Sequence, residues 1–255
     1  MFGFGKPKWT ETVDVVVLGT GAAGLVAAVS AHDHGAKVLV LEKSDRVGGT
    51  TAVSGGVIWI PNNPKMAEAG VPDSREEARK YIGIIAAGRS DEKLLDVFLD
   101  SSLDMLKHLE AKTPVQLSPV PKYADYHPEH PGGKPGARSM ETQIFDTKEL
   151  GEWASKLRRS PIFGGTPMMV VEATGWGVFS NPLALPYKEL GARFKAGLVS
   201  GGASLCGRLL KALIERGCPP RMETRATELI TDDNGRVIGV KATSKAGEQL
   251  IQARK

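Results

Sequence analysis

The strongest hydrophobic pattern lies near the start of the chain, where two runs of branched apolar residues flank an alanine-rich stretch. Residues 13–18 read VDVVVL and residues 37–41 read KVLVL. Such runs are typical of strands buried on both faces of a parallel sheet. The stretch between them, residues 25–34, predicts a helix that ends at Gly35. The pattern therefore predicts an α/β protein that begins with a strand, a helix and a second, parallel strand.

Three further helices and a hairpin are predicted downstream. Residues 73–87 begin with capping and acidic residues, residues 91–110 carry leucines at helical spacing, and residues 203–216 are amphipathic. We interpret the first two of these helices as scaffold. Gly201 and Gly202, which precede the third, fit a flexible helix start as well as a close approach to a ligand. Residues 228–240 predict a β-hairpin around Asn234-Gly235.

The turn between the first strand and the first helix reads GTGAAG at residues 19–24 and fits the dinucleotide motif GxGxxG. Gly19 permits the turn, Gly21 lets the backbone approach a diphosphate, and Gly24 allows close packing of helix and strand. The start of the helix offers free N–H groups and a positive dipole end to the phosphates. A glycine turn that binds nothing is the plainer alternative, but strand, turn, helix and second strand agree with the motif.

Glu42 closes the second strand, eighteen residues after Gly24, where a dinucleotide-binding fold needs an acid. Its carboxylate can accept hydrogen bonds from a ribose 2′-hydroxyl and would repel a 2′-phosphate, which argues against NADP. We therefore predict that residues 19–42 bind an adenosine diphosphate moiety. Both NAD and FAD contain this moiety, so the following segment has to distinguish them.

Residues 42–61 contain two glycine pairs, Gly48-Gly49 and Gly55-Gly56, with small hydroxyl-bearing residues between them. Bare backbone and Ser/Thr donors of this kind suit a long, polar and flat cofactor. A Gly/Ser-rich surface loop is the alternative. The apolar sequence VIWI at residues 57–60 argues against it, because surface loops seldom end in so apolar a run.

Length and composition limit the class of protein. The 255 residues correspond to one or two domains, 41% of them are apolar, and a net charge of +4 spread along the chain does not indicate a nucleic-acid partner. Cys206 and Cys218 form no disulfide framework or metal-ligand spacing, which suits a reducing compartment. Residues 1–10 lack the apolar core of a secretory signal, so we expect a cytoplasmic protein. The glycine motif explains the uncharged run at residues 15–31, so we predict no transmembrane segment.

Residues 114–138 form a long irregular stretch with six of the sixteen prolines and two of the four tyrosines of the chain. Such a stretch inside a compact domain is usually a lid, a binding loop or a disordered link, and its aromatic residues favour the first two. Tyr123 and Tyr126 are as well explained by packing that pins the loop.

His127, Glu129 and His130 follow directly and have side chains that bind metals. Pro128 and Pro131 fix the backbone without providing the helix face on which such ligands normally lie. We therefore predict no metal site here.

The segment from Glu42 to Pro61 resembles the FAD-binding segment of the fumarate reductase and succinate dehydrogenase flavoprotein superfamily. Its ending, SGGVIWIP, is most similar to that of 3-ketosteroid delta-1-dehydrogenases. The resemblance implies a Rossmann-like FAD-binding domain with a parallel sheet, a β-hairpin or meander insertion and an excursion of helices and loops. Members with covalent flavin carry a histidine in this segment, and this chain has none there, which implies noncovalent FAD.

The resemblance also implies site residues. The residues expected to bind the cofactor are Gly19, Gly21, Ala22, Ala23, Gly24, Glu42, Lys43, Gly48, Gly49, Thr50, Thr51, Ser54, Gly55, Gly56 and, through its backbone at the adenine edge, Ala226. Tyr126 matches an active-site tyrosine of the family. By analogy it would hydrogen-bond to a second tyrosine, the general base, and lower the pKa of that partner.

We expect the chain to be the N-terminal part of an FAD-binding domain. Residues 1–62 would form the dinucleotide-binding unit and the flavin-contacting loop, residues 63–200 the excursion, and residues 201–255 a helix and the hairpin. The substrate-covering domain, the C-terminal flavin-binding segment and the general-base tyrosine of the family are not in this sequence.

The expected activity is FAD-dependent 1,2-dehydrogenation of a 3-ketosteroid or a similar cyclic ketone, with an electron acceptor that the resemblance does not identify. The alternatives are a fumarate or enoate reductase of the same superfamily and a noncatalytic FAD-binding fragment.

Overall fold

The computed structural model describes residues 8–160 and 166–255, so most of the predicted non-secretory segment at residues 1–10 lies outside the described residues. The strands are β1 (Glu11–Val13), β2 (Val15–Leu18), β3 (Val38–Leu41), β4 (Ile58–Trp59), β5 (Leu117–Pro119), β6 (Ser139–Thr142), β7 (Phe145–Asp146), β8 (Leu198–Val199), β9 (Arg225–Thr231), β10 (Val237–Ser244) and β11 (Gly247–Ala253). The α-helices are α1 (Ala22–Asp33), α2 (Arg75–Ala86), α3 (Glu92–Lys112), α4 (Val170–Gly175), α5 (Tyr187–Lys195) and α6 (Gly201–Glu215). Short 3₁₀ helices cover Thr51–Val53, Thr147–Lys156 and Pro182–Ala184.

The predicted first strand is divided in two at Asp14. The carboxylate of Asp14 accepts a hydrogen bond of 2.8 Å from the backbone N–H of Lys37, and this bond lowers the pKa of Asp14. Beyond this point β2 pairs in parallel with β3, from Val15 opposite Val38 to Leu18 opposite Leu41. The predicted parallel pair is therefore confirmed, whereas β1 belongs to a different sheet.

Helix α1 joins the two parallel strands and begins three residues earlier than predicted, directly after Gly21. Its apolar side packs into the main core through Leu25, Ala28 and Val29. A methyl group on Gly24 would lie 2.3 Å from the carbonyl oxygen of Gly19, so only glycine permits this contact between helix and turn. The packing role predicted for Gly24 is confirmed.

The β1 strand and the C-terminal meander form a four-stranded sheet in the order β1-β11-β10-β9. Strand β1 pairs in parallel with β11, and the other two pairs are antiparallel. The predicted hairpin turn is present, with the Asp232 carboxylate accepting hydrogen bonds from the backbone N–H groups of Asn234 and Arg236. The expected meander is therefore confirmed.

Helices α2 and α3 pack against each other, as the two predicted scaffold helices. Ser74 and Asp91 cap their first turns with side-chain hydrogen bonds, which explains why both helices begin close to the predicted positions. Within the described residues, none of the helices combines the length and apolar character needed to cross a bilayer.

Helix α6 begins at Gly201 rather than at the predicted Ala203, and most of its residues are buried in the main core. A methyl group on Gly202 would lie 1.8 Å from the carbonyl oxygen of Thr51, and the N–H of Gly202 donates to Ser54 O at 3.1 Å. These glycines therefore allow the helix to meet the glycine-rich segment of the chain, an explanation that neither sequence alternative contained.

A small sheet in the order β4-β6-β5 positions the proline- and tyrosine-rich loop. Strand β4 directly follows the glycine pairs. Strand β5 lies inside the stretch of residues 114–138 that was predicted to be irregular, and β6 begins directly after it, so only residues 120–138 form the loop. The sheet thus brings the glycine-rich segment and the tyrosine loop into one framework.

Substitution Gly202→Ala tests the contact between α6 and the glycine-rich segment. The added methyl group must displace backbone rather than a flexible side chain, so we expect the free energy of unfolding to fall by about 2 kcal/mol or more in chemical denaturation. The matched control is Gly191→Ala in α5, where a methyl group meets nothing within 4 Å and the higher helix propensity of alanine should preserve or raise stability. Equal stability of the two variants would contradict this packing.

Candidate functional site

The end of β2 and the start of α1 form a surface of bare backbone. Gly19 has φ +95°, which turns the chain from strand to helix in a conformation that favours glycine. The first turn of α1 contains N–H groups that the helix cannot use itself, and they lie at the positive end of its dipole. Gly49, in the glycine-rich segment of residues 42–61, lies close to this turn, because a methyl group on it would be 3.8 Å from Gly21 Cα. Two stretches without side chains therefore face each other.

The hydroxyl of Thr20 connects three parts of this surface. Thr20 is fully buried, its Oγ1 donates to Glu42 Oε2 at 2.5 Å, and its backbone N–H donates to the same oxygen at 3.0 Å. In return Thr20 Oγ1 accepts the N–H of Gly48 at 3.0 Å. Sequence reasoning missed Thr20, because it occupies a variable position of the glycine motif.

Glu42 is buried at the end of β3, and its other carboxylate oxygen accepts the backbone N–H of Ser44 at 2.9 Å. A carboxylate has about four acceptor sites, and Thr20 and Ser44 occupy three of them. The remaining site, on Oε1, leaves Glu42 able to accept one ribose hydroxyl. The carbonyl of Glu42 accepts the N–H of Thr224 at 2.8 Å, so Glu42 lies next to the residue that precedes β9. Ala226 is the second residue of that strand.

The segment between the glycine pairs is attached to α1 and to itself. Thr51 Oγ1 accepts the N–H of Ala22 at 3.1 Å, and Ser54 Oγ donates to Thr51 O at 2.7 Å and accepts the N–H of Gly56 at 3.1 Å. The other predicted cofactor residues divide by exposure: Ala23, Lys43, Thr50, Ser54 and Gly55 are exposed, whereas Gly48 and Gly56 are buried. The structure thus brings the two glycine motifs together, and Gly55-Gly56 approach α6.

Cys206 on α6 packs beneath the first glycine pair. Its Sγ donates to the carbonyl oxygen of Gly48 at 3.6 Å, and burial raises the pKa of the Cys206 thiol to about 12. The thiol is therefore a packing group of this segment.

Asp125 connects the tyrosine loop to the glycine-rich segment. Its Oδ1 accepts the indole N–H of Trp59 at 2.7 Å, and its Oδ2 accepts Arg138 Nη1 at 2.8 Å and the backbone N–H of Lys134 at 2.9 Å. Tyr126 is the next residue in the chain. These side chains fix the base of the loop, and no sequence pattern predicts their pairing.

Arg138 is the centre of this cluster and is fully buried. Its Nε and Nη2 each donate to the carboxylate of Asp73 at 2.7 Å, and its guanidinium lies 5.6 Å from the Trp59 ring and 5.4 Å from the Tyr81 ring. Burial opposes ionisation of the guanidinium, yet the carboxylates of Asp73 and Asp125 raise the pKa of Arg138. Burial also opposes ionisation of Asp73, which would raise its pKa, but the hydrogen bonds from Arg138 outweigh this effect and lower the pKa of Asp73.

An apolar cavity of about 390 Å³ lies above this cluster. Trp59 stacks on Phe98 with ring centroids 6.0 Å apart, and Tyr126 is 86% exposed. Burial raises the pKa of Tyr123, and the hydroxyl of Tyr126 adds to this shift. Helices α2 and α3, interpreted from sequence as scaffold, also form part of the wall. The main lining residues are Trp59, Tyr81, Ile85, Phe98, Tyr123 and Tyr126.

A scan against protein-family models matches residues 14–255 to the FAD binding domain. The chain belongs to this family. Its cofactor is FAD, and the facing glycines, the free N–H groups of α1 and the oriented Glu42 fit an adenine dinucleotide. Which individual residues hold the cofactor remains a prediction.

Two curated relatives and one solved structure extend the match. The chain is 39% identical to 3-oxosteroid 1-dehydrogenase of Mycolicibacterium smegmatis over 96% of its length and 45% of the relative. It is 38% identical to 4-oxocyclohexanecarboxylate 2-dehydrogenase of Sinomonas cyclohexanicum, again over 96% of this chain and 42% of the relative. The crystal structure of 3-ketosteroid delta1-dehydrogenase from Sterolibacterium denitrificans, in complex with 1,4-androstadiene-3,17-dione, matches with a TM-score of 0.87 and 34% identity, covering 96% of this chain and 46% of that one.

The resemblance stated from sequence and the expected fold class are confirmed by these matches. The chain spans less than half the length of these relatives.

Substitution Thr20→Val tests the hydroxyl that connects Glu42 to Gly48. Loss of a buried hydrogen-bonding group that serves a carboxylate costs about 1–3 kcal/mol, so we expect FAD to bind about fivefold to a hundredfold more weakly in a flavin fluorescence titration. The control is Thr12→Val, whose hydroxyl bonds to Gln252 in the meander sheet. Unchanged FAD affinity in a folded Thr20→Val protein would contradict the role of this hydroxyl.

The raised pKa of Cys206 predicts a specific alkaline destabilisation. A thiol that titrates near 12 in the folded chain and near 9 when unfolded stabilises the fold fully below pH 9, and this contribution is lost as the pH rises towards 12. Comparing the pH dependence of unfolding free energy for the wild type and Cys206→Ala isolates this contribution. The wild type should lose more stability between pH 9 and 12 than the variant, and parallel curves would refute the assignment.

Proposed function

We propose that this chain forms the FAD-binding part of a flavoenzyme that introduces a 1,2 double bond into a 3-ketosteroid or a similar cyclic ketone. The observation that carries the proposal is the aromatic-walled cavity beside Tyr126, joined through Asp125 and Trp59 to the glycine-rich segment. One framework would then hold the cofactor and one side of the substrate. A cytoplasmic location accords with the two free cysteines.

The surface of bare backbone formed by the glycine turn and Gly49 would hold the cofactor without a covalent bond. The N–H groups at the start of α1 and the bare backbone of Gly21 and Gly49 favour a diphosphate, and Glu42 would accept ribose hydroxyls. The backbone of Ala226 would meet the adenine edge. The hydroxyls of Thr50 and Thr51 would donate to the rest of the cofactor, Ser54 would hold Thr51 and Gly56 in place beside it, and Lys43 would lie at the exposed rim. When bound, FAD supplies the acceptor for a hydride.

The reaction removes a proton alpha to the ketone and a hydride from the neighbouring carbon, so that a CH–CH bond becomes C=C and two electrons pass to the flavin. Tyr126 would donate a hydrogen bond to the base that takes the proton, which lowers the pKa of that base. The hydroxyl of Tyr123 beside it would help to orient Tyr126.

The cavity favours an uncharged, extended hydrocarbon over a carboxylate. Among the described residues that line it, Asp125 alone is charged, and a negative group repels a carboxylate. Arg138 lies below, but two aspartates already neutralise its charge. The chain is about as similar to 4-oxocyclohexanecarboxylate 2-dehydrogenase as to the 3-oxosteroid 1-dehydrogenase. The small keto acid 4-oxocyclohexanecarboxylate is therefore the second candidate substrate.

The enoate-reductase alternative requires clustered cations for a dicarboxylate. The cavity offers aromatic and aliphatic side chains instead, so this alternative has less support from the site. A noncatalytic FAD-binding fragment remains the outcome to be distinguished by activity.

Dye reduction by FAD-loaded protein should be measured with androstenedione and with 4-oxocyclohexanecarboxylate, and oxidation of a reduced dye should be measured with fumarate. Each assay uses the 255-residue chain and any longer protein that contains it. We expect the longer protein to oxidise androstenedione with the highest kcat/KM. Preference for the keto acid would replace the steroid by the second candidate, and fumarate reduction would refute the dehydrogenase. Turnover by the short chain would exclude a noncatalytic fragment.

In the same assay, Tyr126→Phe should lower kcat by about 10²-fold or more, because assistance to proton transfer contributes on this scale. Tyr187→Phe is the matched control, since Tyr187 lies on α5 and not in the wall of the cavity. A kcat unchanged by Tyr126→Phe would remove Tyr126 from the proton-transfer machinery.

A further inference from the structure

Three metal-binding side chains converge on the turn that follows Tyr126. His127, Glu129 and His130 each offer one ligand atom that lies within 4.8 Å of the other two. His127 Nδ1 is 3.1 Å from Glu129 Oε1, and the two imidazole centroids are 5.5 Å apart. The prolines were expected to prevent such a grouping, but a tight turn achieves it without a helix face.

The backbone beneath these side chains is fixed at several points. The N–H of His130 donates to His127 O at 3.1 Å, and the N–H of Gly133 donates to His130 O at 2.8 Å. The turn is closed at its base by Asp125, whose N–H donates to Lys134 O at 3.0 Å. Gly132 lies so close to α2 that a methyl group on it would be 2.2 Å from Glu77 O. The three ligands therefore start from a defined backbone.

The local charges favour a cation. Glu129 contributes a carboxylate, the negatively charged group of the three, which attracts a cation. The nearby cation Lys134 is paired with Glu77 at 2.8 Å. The side chains of His127 and Glu129 are more than half exposed, so an ion can enter from solvent.

We propose that His127, Glu129 and His130 bind one divalent transition-metal ion, such as Zn²⁺, with water completing its coordination. Two imidazoles and a carboxylate suit zinc and its neighbours rather than Mg²⁺ or Ca²⁺, which prefer all-oxygen sites. Ligand atoms on a tetrahedral zinc with bonds of 2.0–2.1 Å are roughly 3.4 Å apart. Side-chain rotation alone can reach this spacing from the observed arrangement. The site is independent of the proposed steroid reaction.

Isothermal titration of the 255-residue chain with ZnCl₂ at pH 7.5 tests the proposal. We expect one bound ion per chain and at least tenfold weaker binding in His130→Asn and in Glu129→Gln, because each variant removes one ligand atom. The matched control is His34→Asn, which removes an exposed imidazole at the end of α1 and should leave the affinity unchanged.

Electron paramagnetic resonance with Cu²⁺ in place of Zn²⁺ provides a second readout, in which two coordinated imidazole nitrogens should be seen in the wild type and fewer in His130→Asn. Circular dichroism establishes that each variant is folded. Absence of zinc binding by the wild type overturns the proposal. So does binding that persists in both site variants, or binding that is lost in His34→Asn.

Discussion

The buried hydroxyl of Thr20 is the contact on which the cofactor surface depends. It donates to Glu42 at the end of β3 and accepts from Gly48 at the start of the second glycine segment. Without it, the buried N–H of Gly48 would lose its partner, and Glu42 Oε2 would keep only the backbone N–H of Thr20. Because a hydroxyl donates and accepts at the same time, one small side chain can fix both the acid and the backbone that face the nucleotide.

The second half of the site depends on a buried charge cluster. Taking Arg138, Asp73 and Asp125 out of water is costly, and such a cluster is tolerated only where every donor and acceptor is satisfied. Here the bidentate contact with Asp73 and the shared acceptor role of Asp125 meet that condition. Trp59 belongs to the glycine-rich segment in sequence and to the cavity wall in space, so this cluster relates the cofactor side to the substrate side.

Helix α6 packs against the glycine-rich segment of the cofactor side. Its first turn contacts the carbonyl of Thr51, its thiol at Cys206 lies under Gly48, and its remaining apolar residues fill the main core. A helix with side chains at positions 201 and 202 would be held away from the glycine-rich segment. Small residues at one helix start therefore determine how closely the segment approaches the rest of the domain.

The parallel β-α-β unit, the glycine turn, the acid at Glu42 and the C-terminal meander were predictable from the sequence, because they follow from local hydrophobic periodicity and from backbone requirements of single residues. The roles of Thr20, Arg138 and Gly202, and the grouping of His127, Glu129 and His130, became apparent only in the folded chain. Their partners are distant in sequence or are set by the path of a proline-rich turn, and neither leaves a periodic pattern. Burial and hydrogen-bond satisfaction are properties of the assembled chain, so they become visible only when distant segments are in contact.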